Sequence, residues 1–208
     1  MDDVLIEVRA PRPHDLVRLS DVTALREDDA EAPDWVWRSL QDAPWAVVRR
    51  ARAGAGRVPV GVRGRARHER YALEVPGDAV AQRVRPEDLR RRLRDLPDRS
   101  LAARAVAALV GWLASLDRAG LRWGPTGSVG FQLATGQVVV TPQSDLDLIV
   151  RLDGLAASQR IPQIPCVPGR VDCLVECPEG AVALPELAGR SRLIMLRTAD
   201  GRRLVARR

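Results

Sequence analysis

Two acids, Asp145 and Asp147, stand two residues apart inside the apolar run SDLDLIVR. Strand alternation puts Ser144, Leu146, Leu148, Val150 and Leu152 on one side and Asp145, Asp147, Ile149 and Arg151 on the other. Both carboxylates then project together, with Cα atoms about 7 Å apart, and can converge on one hard cation. Like charges facing a sheet repel unless they are solvated, paired with arginine or bound to metal. The acids of REDDAE, residues 26–31, have similar spacing in a polar segment and read as a solvated loop.

A second apolar strand, RVDCLVEC, offers a third acid. Val171, Cys173, Val175 and Cys177 share one face, and Asp172, Leu174 and Glu176 share the other. Should this strand lie beside the first, Asp172 or Glu176 joins the pair. Three acids on adjacent strands imply a divalent cation held by oxygen, magnesium by default and manganese as a substitute. Upstream, GPTGSVG supplies glycines at 124, 127 and 130 that let backbone approach a ligand, and Ser128 opens a helix whose first N–H groups suit phosphate. The stretch lacks the lysine of a Walker loop, and no strand is read before it, which excludes a dinucleotide fingerprint.

The rest of the chain must position these groups. Its 208 residues, 46% of them apolar, suffice for one large domain or two small ones. Residues 1–80 read as a small α/β unit: a helix capped by Asp34 and carrying Trp35, Trp37 and Leu40, then strands in WAVVRRA, VPVGVRG and ERYALEV. Residues 81–208 read as the catalytic domain. PEDLRRRLRDL starts a helix at proline with acids in its first turn. Ser100 caps a greasier helix that runs to Gly120, and the later strands end in a ribbon turned at Asp200-Gly201. The class is α+β (α/β), a mixed sheet with packed helices.

Composition narrows the function. The formal charge is +6, and all 33 basic residues are arginine. That bias permits phosphate ligands, because the guanidinium fork bonds two oxygens at once, without requiring them. No long basic surface interleaved with aromatics appears, so nucleic acid is not the expected partner. The three cysteines, Cys166, Cys173 and Cys177, read as reduced thiols, and His14 and His68 lie too far away to complete a zinc site. No segment is long and apolar enough for a membrane span, and a cytoplasmic location is expected.

In order, a helix, a glycine-serine turn, the DLDL strand and the VDCLVE strand resemble the nucleotidyltransferase superfamily that includes DNA polymerase β, over Leu101 to about Glu176. The turn stands about seventeen residues before Asp145, long for that pattern; the ATGQ turn and a strand at VVV would account for the excess. RPHDLVRL, APWAVVRRA, VPVGVRGRARHER, WGPTGSVGFQLATG, SDLDLIVR and RVDCLVECPEGAVAL together resemble the malonate decarboxylase holo-acyl-carrier-protein synthases, the phosphoribosyl-dephospho-CoA transferases. That resemblance implies a polymerase-β-like fold and transfer of a phosphoribosyl-dephospho-CoA group from the triphosphoribosyl-dephospho-CoA donor to a serine of an acyl-carrier protein, with loss of pyrophosphate. It implies magnesium held by Asp145 and Asp147, with Asp172 as further ligand or general base, and Gly127 and Ser128 gripping pyrophosphate. The alternative is nucleotidyl transfer to another hydroxyl, on a small molecule, a protein or an RNA end.

Other residues carry two readings each. The arginines Arg63, Arg65, Arg67 and Arg70 either clamp donor phosphates or meet an acidic carrier, or form a solvated turn. Arg151 either contacts phosphate or offsets the acids beside it. His14 reads as a turn or cap residue. The tryptophans read as core, with stacking on adenine as a second reading for Trp123. Cys173 and Cys177 face away from the acids, toward the core.

Overall fold

A computed structural model describes residues 10–66, 68–166 and 171–207. The chain divides into two compact units, Met1–Arg83 and Val84–Arg208. In the first, β1 (Leu16–Leu19), β2 (Trp45–Val48), β3 (Arg57–Arg63), β4 (Arg70–Pro76) and β5 (Val80–Val84) form a sheet ordered β4-β3-β2-β1-β5. Helices α1 (Val22–Asp28) and α2 (Asp34–Asp42) connect β1 to β2. Val36, Trp37 and Leu40 of α2 pack on Val17, Val60 and Val75 of the sheet. The three strands read in this unit are present, and β1 and β5 join them as the fourth and fifth.

The second unit holds the sheet that carries the acids. Its order is β11-β10-β9-β8-β7-β6, from β6 (Arg122–Pro125), β7 (Leu146–Arg151), β8 (Val171–Cys177), β9 (Gly180–Ala183), β10 (Leu193–Thr198) and β11 (Gly201–Ala206). Every neighbouring pair is antiparallel except β7 and β8, which run parallel. The long helix α3 (Leu101–Arg118) covers one face. Its buried residues Ala102, Ala105, Leu109, Trp112, Leu113 and Leu116 recur at three- and four-residue steps, the period of a helical stripe. They meet Leu146, Leu148 and Val150 of β7 and Cys173 and Val175 of β8 in one core. Ser100 Oγ accepts the Ala103 N–H at 3.1 Å, and Gly120 at φ +65° ends the helix, as the sequence predicts. The α+β class holds.

Several local expectations change. Asp34 is the first residue of α2 rather than its cap, because Pro33 occupies that place. Residues 26–28 of the supposed acidic loop belong to α1, whose cap is Asp21. PEDLRRRLRDL winds as a 3₁₀ helix, Pro86–Asp95. A strand, β6, does precede the glycine turn. The VVV segment is not a strand: Gly136 at φ +77° closes α4 (Gly127–Thr135), and Gln132 Oε1 takes the N–H groups of Val139 and Val140, the donors a ladder would need. Val138 is accordingly 86% exposed.

Leu109, fully buried beneath the acid-bearing strands, tests the α3 packing. Leu109→Ala should cost about 2–5 kcal/mol in urea unfolding, because the cavity cannot be closed by rigid strands on its far side.

Candidate active site

The face of β7 away from the core carries Asp147, Ile149 and Arg151, with Asp145 just before the strand; the face of β8 away from the core carries Asp172, Leu174 and Glu176. The parallel register pairs Asp147 with Asp172 and Arg151 with Glu176. Residues paired in this way point to the same side, on strands about 4.8 Å apart. Asp172, rather than Glu176, is thus the register neighbour of Asp147. Glu176 lies four residues further along, roughly 13 Å away at the rise of a strand.

The glycine turn touches the same place. Thr126 N–H donates to the Asp147 carbonyl at 2.9 Å, which ties the start of α4 to β7. Gly127 follows with φ +60°, and a Cβ built there would fall 1.9 Å from Asp147 Oδ2. Only glycine lets the Asp147 carboxylate lie against this backbone. Ser128 is the second residue of α4, so its N–H belongs to the first turn, where helix amides and the dipole favour an anion. Thr126 makes no side-chain cap bond to those amides. The other two glycines serve packing instead. A Cβ at Gly124 would meet the Pro86 carbonyl at 2.0 Å, and one at Gly130 the Pro125 carbonyl at 2.7 Å.

The donor set has the chemistry of a magnesium site, since that cation takes one or two carboxylates and completes its shell with water and substrate phosphate. Asp147 and Asp172 supply that pair by register. Among the described residues no three acidic, histidine or cysteine side chains gather into a metal cluster. Asp145, Asp147 and Asp172 each hold a bond or electrostatic contact. The carboxylate chemistry and the Gly127 cradle therefore fit a cation held by these side chains plus the substrate.

Arg151 sits elsewhere on this face. It is 3% exposed, its Nε lies 2.9 Å from Glu87 Oε1, and Glu176, 6% exposed, is its register neighbour. This places Arg151 as a buried counter-charge to two acids. In the sequence Glu87 stands only as a dipole acid of its helix. The structure shows the helix straddling the β6 edge, with Glu87 reaching one face while Leu89 and Leu93 join the core on the other. An acid in a first turn was the sole sequence signal, and it did not reveal the partner.

Trp123 is part of the core, with its Nε1–H donating to Asp117 at 2.9 Å and the Arg90 guanidinium 5.7 Å from its ring centre. It offers no open face for a base. His14 occupies a turn with φ +71° and donates its N–H to the Val48 carbonyl. Arg63 stands exposed at the end of β3 in the first unit, opposite Arg70, and Arg65 pairs with Asp42 at 3.2 Å. Arg67 lies outside the described residues.

Fold and site together define an α+β protein whose mixed sheet bears a carboxylate face beside a glycine-opened helix. Family models describe the chain in two pieces: the N-terminal domain of phosphoribosyl-dephospho-CoA transferase MdcG over residues 12–86, and its C-terminal domain over residues 89–208. The chain belongs to that family, and it is a transferase. Curated relatives bearing the name phosphoribosyl-dephospho-CoA transferase include one from Pseudomonas putida, 40% identical over 201 residues, 95% of this chain and 94% of the relative. One from Pseudomonas aeruginosa is 42% identical over 196 residues, 88% and 87% of the two chains, and one from Klebsiella pneumoniae is 40% identical over 203 residues, 94% and 95%. No solved structure matches the chain.

Three outcomes follow from the structure of this unit. Gly127→Ala should keep a native circular dichroism spectrum while turnover falls about 100-fold, because the methyl must displace the Asp147 carboxylate by an ångström or more. The thiols should also divide by face. Burial pushes the Cys173 thiol up to about 12, and burial together with Glu179 raises that of Cys177, whereas Cys166 is exposed. A disulfide reagent at pH 8 should titrate Cys166 alone in the folded chain and all three thiols in guanidinium. Between about pH 9 and 12 the unfolded chain releases the Cys173 proton that the folded chain retains, so stability should fall as pH rises through that window.

Proposed function

We propose that the chain transfers the phosphoribosyl-dephospho-CoA group from 2'-(5''-triphosphoribosyl)-3'-dephospho-CoA to a serine of the acyl-carrier protein of malonate decarboxylase. The observation that supports this reading most is the in-register pair Asp147 and Asp172 with Gly127 packed under the first of them. Family membership supplies the transferred group, and the carboxylate face supplies a place for its phosphates.

In this reading the serine oxygen forms a bond to the phosphorus nearest the ribose. The anhydride bond breaks, and its electron pair leaves with pyrophosphate. Asp172, the more exposed of the pair, accepts the serine proton. The first-turn amides at Gly127 and Ser128 receive the charge growing on pyrophosphate, which neutral water would otherwise have to reorganise around. Asp145 and Asp147, with Asp172, would hold magnesium or manganese; when bound, the cation neutralises phosphate charge and favours the ionised serine. Arg151 stays buried against Glu87 and prevents the acid face from accumulating charge toward Glu176. Arg63 and Arg65, exposed at one end of the first sheet, offer a positive surface to an acidic acceptor protein.

The test mixes pure protein, magnesium, donor and carrier subunit and follows the carrier's mass. Asp145→Asn and Asp147→Asn should each lower transfer by at least about 1,000-fold with thermal unfolding unchanged within a few degrees. Normal transfer by either folded variant sinks the metal-site assignment. If the carrier gains no mass while label moves from ordinary nucleotides to another hydroxyl, the acceptor assignment fails instead.

A further inference from the structure

Strand β4 closes one side of the first sheet, with β3 as its neighbour. Gly64 N–H donates to the Glu69 carbonyl at 3.0 Å and Gly77 N–H to the Gly56 carbonyl at 2.8 Å, one bond beyond each end of the β3–β4 ladder. With the register of that ladder, these bonds fix Val62 with Tyr71, Val60 with Leu73 and Val58 with Val75 as its hydrogen-bonded pairs. The N–H and C=O groups of Arg70, Ala72 and Glu74 therefore point away from the sheet, and all three residues are exposed. Pro76, with no N–H to give, ends this open edge. Among the described residues no other strand pairs with it.

The charges along this edge differ from one end to the other. Arg70 stands directly opposite Arg63, in a non-hydrogen-bonded pair where side chains come closest, and like charges so placed repel. Neither makes an ion pair among the described residues. Four residues on, Glu74 shares Arg57 with Asp28, the two acids lying 4.0 and 3.4 Å from its guanidinium. Two acids on one arginine leave one carboxylate charge in excess within that group. Glu74 Oε2 also accepts the Gly54 N–H at 3.1 Å, which holds the carboxylate at the edge. The Glu74 carbonyl takes a bond from Arg57 Nη2 at 2.7 Å, and its second lone pair remains for a ladder.

We infer that β4 is an interface between two copies of this chain, joined antiparallel about a two-fold axis through Ala72. In this register Arg70 of each copy faces Glu74 of the other and Ala72 faces its own counterpart, and each such pair exchanges two backbone hydrogen bonds. Each arginine that is repelled by Arg63 in its own chain thus gains an acid from the other. On the opposite face Tyr71 meets Leu73 of the other copy, an aromatic–aliphatic pair of the kind that stabilises neighbouring strands. A register centred on Leu73 would set Arg70 against Pro76, and one centred on Tyr71 would leave Glu74 without a place inside the other strand. All of RYALE, residues 70–74, pairs with itself only about Ala72. Joining the two edges makes one continuous sheet and removes the open strand of a lone chain. So short a seam belongs to the small, weak class of interfaces, under about 1,200 Å². The inference does not depend on the transfer reaction.

The experiment is sedimentation equilibrium of the full chain in low salt across about 5–500 µM, where a pair of this size passes from monomer to dimer. The unmodified chain should show that passage. Arg70→Glu, which sets acid against Glu74, should weaken association at least about tenfold, and Glu74→Arg should do the same. Mixing these two variants should restore it to within about threefold, because every facing pair is again opposite in charge. Ala72→Pro removes an N–H that points away from β3, so it should abolish the dimer while the chain keeps its native circular dichroism spectrum. A chain that stays monomeric throughout overturns the inference. Association unchanged by Arg70→Glu or by Ala72→Pro overturns it too, as does a mixture of the two charge variants, both folded, that fails to pair. A monomeric chain that binds the carrier subunit through Arg70 gives the edge to a different partner and overturns it as well.

Discussion

The parallel register of β7 and β8 is the constraint on which the carboxylate face depends. In an antiparallel pair, or one slipped by a residue, Asp147 would face a different neighbour or the wrong side of the sheet. The register is fixed because Leu146, Leu148 and Val150 must meet Cys173 and Val175 in the core under α3. Hydrophobic burial on one face thus sets two like charges side by side on the other. Repulsion between them is a cost the core bears.

Further along the same face the opposite solution appears. Arg151 lies between its register neighbour Glu176 and Glu87, and all three are largely removed from water. A buried ion pair adds little net stability over apolar packing, but loss of one partner is costly because it strands a charge. Its consequence here is positional. Glu87 anchors the helix that begins at Pro86, and the Pro86 backbone presses on Gly124 in β6, three residues before the glycine that cradles Asp147. The permanently compensated end of the sheet face therefore helps to place the turn at the other end.

The first unit distributes its charge by the same geometry. Antiparallel pairing sends arginines that are distant in sequence to one end of the sheet and those of one short stretch to the other. The basic run at residues 63–70 is conspicuous as a string. Arg12 and Arg83, 71 positions apart, have no string to mark them, and only the buried Asp15 brings them together.

Alternation by itself determined a great deal: the acid face of each strand, the inward direction of Cys173 and Cys177, and the Ser100-capped helix all follow from local period and cap chemistry, which act between near neighbours. The identity of Asp172 as the neighbour of Asp147 needed the tertiary structure, because strand polarity and register are set by the shared core. So did the burial of Arg151, whose partner Glu87 stands 64 positions away along the chain. VVV failed as a strand for a similar reason, since its amides were claimed by Gln132 across a glycine stop. Residue types and spacing name the chemistry a chain can perform; which groups share a site is decided by the pairings that bury the rest.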